Sequence, residues 1–237
     1  VGKEKLRNEF YNLLKIGIDH PKYDLRKKLM MKWQNIWCHK FFVTKNLIGF
    51  AEGLIAEKKQ VRHIWVHHIG IGEIGSPKEK DVKTNSMPII VHAPSEKRIK
   101  GTKYVRKAIQ NLRSENLKFV YREVTNLEND EAIKIYKNSD IVVDQFIVGG
   151  VGNFAFEGMC LGKPVIAYVI PKVLDETYHG CPIVNSTIND IEKNLRTLIT
   201  DPALRVNLGR KGIKYIKKQI NAKVINEQII EIYRDLI

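Results

Sequence analysis

Between residues 89 and 167, short apolar segments alternate with longer amphipathic ones. The apolar segments are rich in β-branched and aromatic residues, as buried parallel strands are; they span residues 89–91, 117–121, 141–143 and 165–167. Amphipathic segments at 102–115, 128–138 and 153–161 predict the helices between them. Because strands that alternate with helices form right-handed βαβ units, the pattern predicts an α/β fold whose parallel sheet carries helices on both faces.

The flanking segments are less regular. After residue 168 the chain predicts a polar loop, a strand at 182–184 and three helices, at 188–200, 202–219 and 222–236. The first 60 residues predict mainly helices, with a strand at 40–44, and another strand is predicted at 61–67. Residues 71–88 mix Gly, Pro, Ser and charged residues without an apolar period, which is typical of a linker. We therefore predict two domains, residues 1–88 and 89–237.

The segment 140–168, DIVVDQFIVGGVGNFAFEGMCLGKPVIAY, predicts a strand, a glycine-rich loop, a helix and a second strand. Gly152 ends the loop, Asn153 is suited to cap the helix, and the backbone N–H groups of Asn153 and Phe154 start it. Such a loop lies at the carboxyl end of a parallel strand, where open α/β sheets bind ligands and helix N-termini suit phosphates. Glu157, one turn further, can face the same crevice. A purely structural turn is the alternative for the loop alone.

Glu157 and the following GMCLGKPV resemble the donor-binding segment of retaining glycosyltransferases of the GT-B fold, a family that includes glycogen synthases. The family pattern has another Glu eight residues earlier, where this chain has Gly149. The C-terminal segment DPALRVNLG is similar to the end of the family's fold, and the resemblance implies that the last helix crosses back to the N-terminal domain. The resemblance implies a metal-independent transferase that uses a nucleotide sugar as substrate, needs no cofactor, and holds the ribose hydroxyls with Glu157.

Lys100 stands in a Lys-Gly-Thr turn before a predicted helix. Its ammonium can reach a diphosphate as a point charge, and the resemblance implies the same role; a solvated lysine is the structural alternative. The family usually has an arginine five residues before this lysine. That position is Ser95 here, so Arg98 or Lys97 is expected to substitute for it.

Further candidates lie at the ends of the predicted strands. Gln145 and Asp144 follow one strand and are expected to line the cleft, although a simple turn accounts for them equally well. The nucleobase is expected beside residues 121–124, which end in Val124. His92 is expected at a strand end that faces an interdomain cleft. No acidic or Cys residue stands at metal-ligand spacing from it, so we expect no metal site, and the sequence identifies no catalytic residue.

The charged residues also predict a basic surface. Lys and Arg number 40 against 26 Asp and Glu, a net charge of +14. A basic surface favours anionic partners such as nucleotides and phospholipid headgroups, although merely solvated lysines are the alternative. The three cysteines lack disulfide or metal spacing, and no apolar run approaches the roughly 20 residues of a membrane span. We expect a cytoplasmic protein without a signal peptide, with peripheral contact to the inner membrane face as one option.

The resemblance, together with these candidate residues, implies a glycosyltransferase that moves a sugar from a nucleotide-sugar donor, with retention, to a carbohydrate or lipid-linked acceptor. A nucleotide-sugar epimerase of the same architecture is one alternative, and a non-catalytic nucleotide- or nucleic-acid-binding module is another. No nucleic-acid-binding signature is visible, so no specific nucleic acid is expected. Residues 1–88 are expected to form only a partial acceptor-side α/β segment, and these 237 residues alone are expected to bind the donor but to transfer poorly.

Overall fold

The computed structural model describes residues 77–219 and 222–235, together with residues 29, 33–34, 36–42, 60–61 and 75. The chain divides into two compact units, one formed by Val1–Val66 with Lys223–Ile237 and the other by His67–Ala222. In the first unit, strands β1 (Phe41–Phe42) and β2 (Gln60–Val61) pair in parallel and overlap the two segments that predict strands there. Residues 29, 33–34 and 36–37 are helical, within the region where helices are predicted. The remaining expectations for residues 1–76 fall outside the described residues.

The second unit is built on a five-stranded, wholly parallel sheet, as the sequence pattern predicts. Its strands are β3 (Ile89–His92), β4 (Val120–Glu123), β5 (Ile141–Val143), β6 (Val165–Ala167) and β7 (Val184–Asn185). Their order in the sheet is β4-β3-β5-β6-β7. All three residues of β5 are fully buried, which is why this strand is apolar at every position rather than at alternate ones.

Helices cover the sheet. They are α1 (Lys97–Lys100), α2 (Thr102–Ser114), α3 (Asn129–Lys137), α4 (Asn153–Cys160), α5 (Pro171–Thr177), α6 (Ile191–Thr200) and α7 (Pro202–Gln219), with a 3₁₀ turn at Glu79–Asp81. Helix α8 (Ala222–Arg234) belongs, apart from its first residue, to the first unit. Helix α2 buries Val105, Ala108, Ile109 and Leu112, the spacing of one helical face. These side chains join those of β3, β5 and α6 in one apolar core.

Helices α4 and α7 approach each other closely through glycine. A Cβ atom at Gly209 of α7 would lie 2.0 Å from the carbonyl oxygen of Gly162, just after α4. Only hydrogen fits in that space, so this glycine sets the distance between the two helices. The C-terminal motif DPALRVNLG therefore has a packing role at its last position.

Two strand predictions are wrong in their limits. The sequence predicts a strand at 117–121, but β4 starts at Val120, which pairs with Ile89. Asn116 adopts a left-handed conformation (φ 61°) that ends α2, and Leu117 and Phe119 pack against the core before the ladder begins. Similarly, the strand predicted at 182–184 is found at Val184–Asn185, where pairing with β6 decides its position.

Three helix predictions need correction as well. Asn153 is the first residue of α4 and Gly152 is its N-cap, so Asn153 does not cap the helix as predicted. Helix α6 begins at Ile191 rather than at 188, after a turn in which the Asp190 N–H donates to the Thr187 carbonyl. Helix α5 lies within a segment predicted to be a loop; Pro171 at its first position is the signal for it.

Candidate functional site

The carboxyl ends of β3 and β5 form the crevice of the sheet. From β3 the chain moves to β4 on one side, and it then returns to the other side of β3 to form β5. Connections thus leave the two neighbouring strands in opposite directions. Open α/β sheets bind ligands at such a switch point, so the side chains that follow β3 and β5 are the first candidates for a site.

Lys100 and Asp144 meet in this crevice. Lys100 ends α1, the short helix after β3, and Asp144 directly follows β5. The Lys100 ammonium donates to Asp144 Oδ1 at 2.5 Å; the side chain of Asp144 is fully buried and that of Lys100 is 13% exposed. The sequence predicts both residues near the cleft, but not their pairing. The one feature of the sequence that hints at this pairing is an acidic residue directly after an apolar strand.

The glycine loop shapes the wall of the crevice above this pair. Gly149 has φ 74°, and a Cβ atom there would lie 2.6 Å from Ile170. Gln145, which is buried, donates from Nε2 to the Gly150 carbonyl at 2.5 Å. At Gly152 a Cβ atom would lie 2.4 Å from Asp144 Oδ2 and 3.2 Å from Lys100 Nζ. The loop therefore rests directly on the ion pair, and Gln145 holds the loop backbone.

Helix α4 brings Glu157 to the same place. Glu157 is half-buried, one turn into the helix. Burial raises the pKa of its carboxyl, the negative charge of Asp144 raises it further, and Lys100 opposes this shift. The crevice thus combines an ammonium, two carboxylates and the first backbone N–H groups of a helix. Such a set can hold an anion through the cation and a diol through a carboxylate.

The two residues that start α4 differ in exposure. Asn153 is exposed, whereas Phe154 is buried and its ring centroid lies 4.6 Å from that of Tyr136. The side chain of Phe154 therefore packs in the interior. Its contribution to a ligand site is limited to its backbone.

His92 does not face a cleft, contrary to expectation. It is fully buried, its Nδ1 donates to the Val143 carbonyl at 2.8 Å, and Nε2 lies 2.9 Å from Thr102 Oγ1. Burial lowers its pKa, and the bond to Val143 opposes this. In a neutral His92, Nδ1–H donates to the Val143 carbonyl and Nε2 accepts from the Thr102 hydroxyl, so both ring nitrogens are hydrogen-bonded. It connects β3 to β5 and to the start of α2, and thereby fixes the floor of the crevice.

The residues expected to replace the family's arginine lie on the surface. Ser95 is exposed, and Arg98 is exposed with Nε 3.7 Å from Glu96. Lys97 pairs with Glu123 at 3.3 Å. Both cations are thus drawn to nearby carboxylates, and Lys100 is the cation that reaches the crevice from this turn.

The end of β4, where the nucleobase is expected, carries a fixed carboxylate. Arg106 donates to both oxygens of Glu123, at 2.8 and 2.6 Å, and the Tyr121 hydroxyl lies 3.3 Å from Oε2. The hydrogen bond from Arg106 is the main reason that the pKa of Glu123 falls to about 2. Val124 is buried and its N–H donates to the His92 carbonyl at 2.8 Å. The Val124 side chain is therefore part of the core.

In the part of the chain that the structure describes, no three His, Cys, Asp or Glu side chains are grouped as ligands of a metal ion. Nor does any described helix have the length and apolar character needed to cross a membrane.

Comparison with known proteins gives one family and several similar folds. Residues 98–215 match the family model described as Glycosyl transferases group 1. Sucrose-phosphate synthase from Thermosynechococcus elongatus is 14% identical, with a TM-score of 0.63 over 92% of this chain and 62% of that one. TarM of S. aureus, with UDP among the molecules in its complex, is 14% identical, with a TM-score of 0.59 over 86% and 45%. No curated protein matches the sequence.

A further similar structure is HepE of Anabaena in complex with UDP-glucose, which is 12% identical, with a TM-score of 0.63 over 91% of this chain and 70% of that one. The chain spans less than two thirds of the first two proteins. The segment that matches the family model contains Lys100, the glycine loop and Glu157, and the surrounding fold is that of GT-B glycosyltransferases. The chain therefore belongs to the glycosyl transferases group 1 family.

Proposed function

We propose that this protein transfers a sugar from a nucleotide-sugar donor to an acceptor, with retention at the anomeric carbon and without a bound metal. The observation that carries the proposal is the position of the Lys100 ammonium, at the switch point of the sheet and beside the start of α4. Residues 89–237 would form the donor-binding half and residues 1–88 part of the acceptor side. No residue is assigned as catalytic.

The charge that develops in this reaction lies on the departing nucleoside diphosphate. Lys100 and the free N–H groups at the start of α4, at Asn153 and Phe154, would stabilise that charge in a preorganised site. Glu157 would accept hydrogen bonds from the two ribose hydroxyls, for which its two oxygens are suited. Because Gly152 has no side chain, the Lys100 ammonium lies close to the loop backbone, and a diphosphate bound to Lys100 would lie close to that backbone as well.

Other parts of the proposal rest on position alone. The nucleobase would lie beside residues 121–124, at the end of β4. Gln145 would act through the loop backbone that it binds. Ser95 and Arg98 are exposed and would reach the ligand only at the rim of the crevice. HepE binds UDP-glucose according to its description, so uridine nucleotides are the first donors to test.

The acceptor is proposed as a carbohydrate or a lipid-linked carbohydrate. The net charge of +14 is compatible with peripheral contact to an anionic membrane surface. The epimerase and the non-catalytic binding module remain the alternative functions, and the experiment below separates all three.

The test is a thermal-shift panel of UDP-, ADP- and GDP-sugars, followed by product analysis of the best binder. We expect one nucleotide series to raise the melting temperature, and labelled sugar to move slowly to an added saccharide or lipid-linked acceptor, because residues 1–88 are proposed to form only part of the acceptor side. Binding without any product would show a non-catalytic module. Lys100→Met/Asp144→Asn, which removes both charges of the pair, should lose the shift, whereas Glu115→Gln at the far end of α2 should keep it. A donor converted to its epimer without acceptor would show an epimerase. Binding by no nucleotide sugar would refute the proposal.

A further inference from the structure

Asp144 has a feature that its pairing with Lys100 does not explain. Its side chain is fully buried, and Oδ2 has no hydrogen-bond partner among the residues that the structure describes. Buried carboxylate oxygens are costly to leave unpaired, and they are rarely found so without a reason. The free oxygen therefore points to a role of this carboxylate beyond packing.

The surroundings of Oδ2 are those of an anion site. It lies against Gly152, the N-cap of the eight-residue helix α4. The same glycine is close to the Lys100 ammonium. The Asp144 carboxylate thus lies between a cation and a helix start, the two groups that would otherwise attract a phosphate.

We infer that Asp144 is a resident anion, which occupies the cation of the diphosphate site while the site is empty and weakens the binding of the diphosphate. The inference rests on the proposed function of the crevice. A phosphate oxygen in contact with Lys100 would lie no more than about 5.5 Å from Asp144 Oδ1, since each contact spans less than about 3 Å. At that separation two anions repel each other.

This arrangement has two consequences. In the empty protein, Asp144 gives the part-buried Lys100 a partner and holds its ammonium in the crevice. After the sugar has left, the repulsion favours the release of the nucleoside diphosphate product. Asp144 would thus be a positioning residue that sets the strength of product binding, and not a group that touches the reacting atoms.

Asp144→Asn tests the inference, because it keeps the shape and one acceptor but removes the charge. By calorimetry, we expect UDP, ADP or GDP, whichever the wild-type protein binds best, to bind at least about tenfold tighter to the variant. Inorganic pyrophosphate should gain in the same direction, and the corresponding nucleoside should not. If Asp144 acted only in folding, Asp144→Asn would not change the affinity for diphosphates and for the nucleoside differently.

Two control variants sharpen the result. Glu115→Gln removes the same charge at the other end of α2, about 20 Å from Lys100 by helix length, and should leave all affinities unchanged. In Lys100→Met/Asp144→Asn the gain should vanish, because no ammonium remains to be released. A wild-type protein that binds diphosphates while Asp144→Asn binds them equally or more weakly would overturn the inference and leave the proposed function standing. Binding of no diphosphate by either protein would overturn both.

Discussion

Lys100 Nζ lies 2.5 Å from Asp144 Oδ1, although 44 residues separate the two in the chain. One residue follows β3 and the other follows β5, and the sheet places these strands side by side. The pair therefore depends on the strand order, which joins two βα units at the switch point. Its energetics and its function can be tested separately.

The first prediction concerns the stability of the pair. Lys100→Met leaves a fully buried carboxylate without its cation, which we expect to cost about 3–5 kcal/mol in the free energy of unfolding. Lys100→Met/Asp144→Asn leaves no buried charge there and should recover most of this loss. Urea unfolding followed by circular dichroism measures both. If Lys100→Met were as stable as wild type, the pair would not stabilise the fold.

Glu157 provides the second prediction. Glu157→Ala should weaken the binding of nucleoside diphosphates and of the nucleoside alike, by about tenfold or more, because a charged acceptor of the ribose hydroxyls is lost. Stability should change by no more than about 0.5 kcal/mol, since burial and Asp144 already disfavour the ionised carboxyl. Calorimetry with the nucleoside and thermal unfolding are the measurements. Unchanged nucleoside affinity would exclude the ribose role.

The sequence predicts the alternation of strands and helices because buried parallel strands and amphipathic helices have different apolar periods. It does not predict the strand order, which depends on contacts between distant segments. For this reason Lys100 and Glu157 can be nominated one by one, while the ion pair of Lys100 with Asp144 cannot. The misplaced start of β4 has a similar cause: Leu117 and Phe119 are apolar because they pack on the core, but they lie outside the ladder.

The same distinction applies to residues nominated for binding. Val124 and the Phe154 side chain belong to the core, and His92 ties strands together instead of facing a cleft. The sequence alone does not show whether a side chain at a strand end or helix start points into the core or into a cleft. That depends on how the neighbouring helices and strands pack around it.

Glu123 gives a prediction for pH. Its folded-state pKa, about 2, lies below the ordinary value of 4.5, chiefly because Arg106 hydrogen-bonds to it. A carboxyl with a depressed pKa stabilises the fold above its unfolded value, and that contribution is lost as the pH falls towards the folded value. Glu123→Gln should therefore be less stable than wild type at pH 7, with the difference shrinking between pH 4.5 and 2.

Unfolding at several pH values measures this difference. Glu176→Gln, which removes an exposed carboxylate paired with Lys172 at 3.7 Å, controls for the loss of one negative charge. Added salt should reduce the effect at Glu123 only in part, because its side chain is 16% exposed, whereas that of Arg106 is 54% exposed. A difference that stays constant down to pH 2 would show that the carboxylate contributes nothing as a charge.

Arg205 gives the last prediction. This arginine of the DPALRVNLG motif is fully buried, and its guanidinium donates to the carbonyls of Leu198, Ile199 and Asn85, at 2.5, 2.9 and 2.6 Å. Its Nε also donates to the Thr84 hydroxyl at 2.7 Å. The arginine thus connects the end of α6 to the segment that leads into β3.

Asp140 completes this connection from the other side. Its carboxylate accepts from the Thr84 hydroxyl at 3.0 Å, from two N–H groups of Asn85 at 2.9 Å, and from the Ile89 N–H at 2.9 Å. Thr84 accepts from Arg205 and donates to Asp140, so one hydroxyl links the two charges. The segment before β3 is thus held at Thr84 and Asn85.

Arg205→Met would leave the buried carbonyls of Leu198 and Ile199 and the part-buried carbonyl of Asn85 without this donor, and we expect it to cost about 3–5 kcal/mol in unfolding free energy. Arg205→Lys should recover little of this loss, because an ammonium lacks the planar fork that reaches several acceptors at once. The control is Arg210→Met one turn and a half further along α7; this exposed arginine makes one bond, to the Glu79 carbonyl at 3.1 Å, and its loss should cost less than about 1 kcal/mol. Equal losses for Arg205→Met and Arg210→Met in urea unfolding would contradict the anchoring role of Arg205.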